Sequence, residues 1–129
     1  MTQRQIDSVK YEYENFTFSR RVLNDLILLI EEEHSKIMSI KTLKTFEKFI
    51  ISNIEDISIS KTKAYGSDYY YFNVLRKHTI AFTFKVLRNE EKLFDEENLF
   101  LLNESLRQEY RNFDYKVSEY ERQYSDILN

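Results

Sequence analysis

The chain reads as an α+β fold: a three-stranded antiparallel β-meander packed against N-terminal helices and a long C-terminal helix. Two observations lead there. Apolar residues recur at helical spacing up to about residue 54, alternate between residues 56 and 87, and return to helical spacing from Asp95 onward. The alternating segments are also joined by connections too short for the crossovers that parallel neighbours need. No linker, repeat or low-complexity tract interrupts the 129 residues, so they are read as one domain, 1–129.

Taken in order, residues 1–18 carry two patterns. Ile6, Val9, Tyr13 and Phe16 fit a helical stripe, while Val9, Tyr11 and Tyr13 alternate like a strand; a short helix is the reading adopted. Ser19 then serves as the expected N-cap of a helix over 19–38, whose apolar positions include Val22, Leu23, Leu26, Ile27, Ile30 and Ile37. A second helix is expected over 42–54, burying Leu43, Phe46, Phe49, Ile50 and Ile54. Strands follow over 56–63, 68–75 and 79–87, with turns at residues 64–68 and 76–78. Gly66 falls in the first turn, where a positive φ is most needed. Asp95 is the expected cap of a final helix over 95–128, about 50 Å long. That length exceeds the span of a small domain, so part of it should overhang or find a partner. Leucines line its first half and tyrosines its second.

Composition narrows function. One glycine, no proline and no cysteine leave no glycine-rich phosphate loop, no thiolate metal site and no cysteine nucleophile. Asn, Lys, Ile, Phe and Tyr, whose codons are AT-rich, dominate, a bias that fits an AT-rich bacterial, plasmid or phage genome and could itself thin out glycine. The Glu31-x-x-His34 spacing supplies half of a di-iron carboxylate site without its other half. Asp68 with Glu90-Glu91-Lys92 faintly resembles a metal-dependent nuclease pattern, but the acid-lysine pair sits in a polar loop. Neither histidine accompanies a serine motif. The reading is therefore no enzyme, no metal and no cofactor.

Net charge is −3 overall, yet residues 56–88 carry Lys61, Lys63, Arg76, Lys77, Lys85 and Arg88 against Asp56 and Asp68. If Tyr70, Phe72, Val74, Ile80, Phe82 and Phe84 face the helices, then Tyr69, Tyr71, Thr83 and Lys85 face outward. Tyr69 and Tyr71, with Lys61, Lys63, Arg76 and Lys85, are the candidate partner-binding set. Three readings compete for that face: a protein-recognition patch, a nucleic-acid surface that stacks bases, or a face covered by the N-terminal segment. Tyr110, Tyr120 and Tyr124 are the candidate second interface, packing either within the chain or against the same segment of a second copy. The leading expectation is a small non-enzymatic inhibitor of phage or mobile-element type, anti-defence or immunity-like, which occupies a protein partner's surface. The alternative is a nucleic-acid-binding accessory protein. The start lacks a secretory pattern and no segment is apolar enough for a membrane, so a cytoplasmic location is expected.

Overall fold

Thr2 caps the first helix. Its hydroxyl accepts from the Gln5 backbone N–H while the Gln5 side chain accepts from the Thr2 N–H, a reciprocal capping box. In the computed structural model, which describes residues 1–63, 66, 68–87 and 92–128, this cap opens α1 (Gln3–Glu32). There follow α2 (His34–Met38), α3 (Leu43–Asn53), β1 (Ser58–Lys63), β2 (Tyr69–Arg76), β3 (Thr79–Leu87), α4 (Glu96–Gln123) and α5 (Ser125–Leu128). The strands form one antiparallel sheet in the order β1-β2-β3. The α+β meander with flanking helices is the architecture expected from the periodicities.

The N-terminal region differs from expectation. Residues 1–18 are not a separate short element but the first half of α1. Ser19 is not an N-cap; it lies in mid-helix, fully buried, with its hydroxyl 3.5 Å from the Ala81 carbonyl oxygen of β3. Two small side chains there let helix and strand approach closely. The expected helix over 19–38 also breaks at Glu33, where α1 reaches the start of α4: His34 Nε2 meets Glu96 Oε2 at 3.2 Å.

α1 and α4 are of similar length, about 45 and 42 Å, and lie antiparallel along each other. Arg107 pairs with Glu31, Arg20 with Asp114 at 3.0 Å, and Tyr13 donates to Glu121 at 3.2 Å. The final helix therefore does not overhang, because α1 runs beside it to the far end. α4 stops at Gln123, with Tyr124 as its C-cap, and a separate short turn follows.

The core lies between the sheet and the helices. Phe72, Val74, Phe82, Phe84 and Val86 meet Phe46 and Ile50 of α3, Leu23 and Ile27 of α1, and Leu102 and Leu106 of α4. Phe72 stacks on Phe84 at 5.2 Å, and Phe46 sets its ring edge-on to both Phe72 and Phe94. Ile80, expected inside, is 55% exposed. The register steps between Val74↔Phe82 and Leu75↔Ile80, a bulge that turns Ile80 outward and leaves Ala81 against the core.

With a single glycine, other residues take left-handed backbone. Gly66 has φ +74° in the first connection, as expected, but Lys77 and His78 have φ of 48° and 68°. They form the two-residue loop between the paired Arg76 and Thr79, the type I′ geometry that favours Asn-Gly. Asp56, at φ 61°, likewise delays the start of β1 to Ser58. Replacing Lys77→Asn and His78→Gly together is expected to raise stability by about 1–2 kcal/mol, read as a higher urea midpoint at constant slope.

The tyrosine-rich half of α4 is used within the chain. Tyr120 donates to the Glu12 carboxylate, and its ring lies edge-on to Phe16 and Tyr124, both at 5.1 Å. That carboxylate favours the protonated phenol and, with burial, pushes the Tyr120 pKa up to about 12. A raised pKa in the folded state contributes stability that is complete below the usual tyrosine value near 10 and is lost as pH rises toward 12. The wild-type melting temperature is therefore expected to fall more steeply between pH 10 and 12 than that of Tyr120→Phe.

Candidate protein interface

The outer face of the sheet is built by strand alternation. Opposite the buried row of Phe72 and Val74, the odd-numbered residues of β2 point away from the helices and pair across strands: Tyr69↔Leu87, Tyr71↔Lys85 and Asn73↔Thr83. Asn73 ties the three strands together. Its amide donates to Thr62 Oγ1 at 3.1 Å and its carbonyl oxygen accepts from Thr83 Oγ1 at 2.8 Å. Lys85 Nζ stands 4.4 Å from the Tyr69 ring centroid, a cation–π contact that holds the ring in place. Thr83 and Lys85 are exposed, and Tyr69, Tyr71 and Asn73 are half-buried by their neighbours on the sheet.

This face runs into a groove. α4 passes along the β3 side of the sheet, so Tyr69, Lys85 and Leu87 form one wall and Leu101, Leu102 and Ser105 the other, around about 220 Å³. The far lip is apolar: Leu101 is 52% exposed. Tyrosine is enriched among the anchors of protein interfaces, and exposed apolar groups beside a concavity mark a docking surface.

Of the six residues expected on this surface, Tyr69, Tyr71 and Lys85 do come together. Lys61 and Lys63 do not. In register they pair with Phe72 and Tyr70, which places them on the helix-covered side, and Lys61 is held 2.9 Å from Glu47 of α3. Arg76 also turns away, toward α1, where it meets Glu14 and Asn15, each at 2.8 Å. Arg88, counted in the basic total, lies outside the described residues. Among the described outward-facing residues of the sheet, Lys85 carries the only charge.

Tyr110, Tyr120 and Tyr124 gather no open patch either. Tyr110 packs against the core, Tyr120 is engaged by Glu12 and Phe16, and Tyr124 lies on Tyr120. Glu31 is paired with Arg107 and His34 with Glu96, and no group of three His, Asp or Glu among the described residues could hold a metal ion. Asp68 is exposed at the start of β2, whereas Glu90 and Glu91 lie outside the described residues.

Leu87 and Leu101 line the groove although neither is among the residues expected on this surface. The signal was the run Leu99-Phe100-Leu101-Leu102: a helix buried along one stripe cannot hide four consecutive apolar residues, so some must face outward. Among the described residues, no helix is long and apolar enough to cross a membrane. No protein-family model, curated protein or solved structure matches this chain.

Proposed function

We propose that this is a non-enzymatic binding protein that acts by covering the surface of a protein partner with the outer sheet face and the adjoining Tyr69–Leu101 groove. The observation that carries the reading is the near absence of charge on that face. One lysine among hydroxyls, an amide, two tyrosines and an apolar lip keeps desolvation cheap and matches the charge-poor centre of protein interfaces. A phosphate backbone needs several cations along its path, and the lysines that would supply them face the other way. In the cytoplasm of an AT-rich bacterium, a phage or mobile-element protein of this kind would work as an antagonist, blocking the partner by occupation.

The test pairs affinity capture from the native host with direct titration of the captured protein. Tyr69→Ala combined with Leu101→Glu, at unchanged helical content and melting temperature, is expected to weaken binding at least about thirtyfold, the loss of one hot-spot anchor. Undiminished affinity in this variant would place the contact elsewhere. Tight binding of a single-stranded oligonucleotide, falling steeply with salt, would replace the reading with the nucleic-acid one.

A further inference from the structure

The two edges of the sheet differ. β3 is accompanied by α1 and α4: Ser19 reaches the Ala81 carbonyl oxygen, and Phe113 lies 6.3 Å from Phe82. β1 has β2 on one side only, and all its residues but Ile59 are exposed. Among the described residues, no backbone hydrogen bond reaches its outer edge. Every second residue of β1 therefore directs an N–H and a C=O outward, the template onto which an extended chain adds as a further strand.

The side chains of β1 select what can add. Ile59, Lys61 and Lys63 lie on the helix side, and Ser58, Ser60 and Thr62 on the outer side. Lys61 is shared with Glu47, while Lys63 makes no ion pair among the described residues. A second copy of β1, added with both helix layers on the same side, would set lysine against or diagonal to lysine, which is unfavourable. Edge lysines repel copies and basic strands in this way. They do not repel carboxylates.

We infer that the outer edge of β1 takes up an extended acidic segment of a partner protein as a fourth antiparallel strand. Acidic side chains would lie opposite Lys63 and Lys61, an apolar one opposite Ile59 and small polar ones on the outer face. This goes beyond the Tyr69–Leu101 groove, on the other side of the sheet, and its test does not depend on that groove.

The probe is the synthetic peptide Thr-Glu-Thr-Glu-Thr-Val-Thr, titrated into isotopically labelled full-length protein and followed by amide chemical shifts. The shifts are expected to concentrate on residues 58–63. Binding of the Thr-Lys-Thr-Lys-Thr-Val-Thr analogue should be about tenfold weaker, from two cross-strand charge pairs. Lys63→Glu, an exposed substitution that leaves the core intact, should narrow or invert that preference. Tyr69→Ala/Leu101→Glu should leave it unchanged, so this inference and the groove reading can fail separately. Equal response to both peptides, shifts centred away from β1, or a dimer that is lost on changing Lys63 would each overturn the proposal.

Discussion

Phe46→Ala is expected to lower the stability of this protein by about 4 kcal/mol, the largest loss from any single truncation considered. Phe46 is 2% exposed and joins three parts of the chain. It projects from α3, meets Phe72 of β2 at 5.7 Å with rings nearly perpendicular, and meets Phe94, just ahead of α4, at 4.8 Å. Removing the ring forfeits its transfer energy and two edge-to-face contacts. It also leaves a cavity that Phe72 cannot fill, because Phe72 is stacked flat on Phe84 with an interplanar angle of 6°. Domains of this size hold about 5–15 kcal/mol in total, so the variant should retain a fold with little margin. Urea unfolding followed by far-UV circular dichroism should show the midpoint falling by about 2 M. Phe46→Leu, which keeps most of the volume, should lose less than half as much. A loss below about 1.5 kcal/mol in Phe46→Ala would mean that the aromatic cluster collapses readily into the gap.

Arg76→Ala is expected to cost about 2 kcal/mol, through a different mechanism. The Arg76 side chain is only 13% exposed, although it stands at the end of a hairpin. One guanidinium nitrogen donates to Asn15 Oδ1 and another to Glu14 Oε2, each at 2.8 Å, and the group lies 5.7 Å from the Tyr11 ring centroid. Charge-assisted bonds of this kind contribute about 1.5–3 kcal/mol each when shielded. Glu14 is 57% exposed, so its share is discounted and the Asn15 bond and the packed stem supply most of the effect. Arg76→Lys should recover little, since an ammonium cannot span two acceptors as a planar fork does. Glu14→Ala should cost under about 1 kcal/mol. Amide exchange should speed up most in the Lys77-His78 hairpin and the facing turns of α1. Uniform acceleration across the molecule would count against a local tether.

Alternation made the sheet legible. Phe82, Phe84 and Val86 inside, with Tyr69, Tyr71 and Lys85 outside, follow from period two alone. The same rule applied to β1 assigns Lys61 and Lys63 to the face of Ile59. Grouping them with the tyrosines followed their charge rather than their parity. Alternation assigns Ile80 to the inside and is wrong there, because a bulge shifts parity without a mark in the sequence. The length of α1 was hidden by coincidence: over Val9, Tyr11 and Tyr13, strand alternation competes with the helical stripe. Ser19 also has the composition of a cap. The Thr2-x-x-Gln5 capping box was the better signal, and Ser19 is buried because β3 passes beside it. Half of the groove was legible in the same way. Tyr69 and Lys85 follow from the strands, whereas Leu101 depends on where α4 lies against the sheet, which is set by tertiary packing.

The antiparallel pairing of α1 with α4 has a consequence for how the molecule comes apart. Beyond Phe16 on one helix and Phe113 on the other, the pair leaves the main hydrophobic cluster. Val9 and Val117 are buried but stand outside that cluster. This distal stretch joins residues 3–15 to residues 114–123, so a growing polypeptide cannot close it until the second of those segments has been made. It also rests on few apolar contacts, which makes it the unit that opens first while the sheet and α3 remain intact. A protease at low concentration would then nick α1 ahead of Phe16 and α4 beyond Phe113 and spare the segment between them.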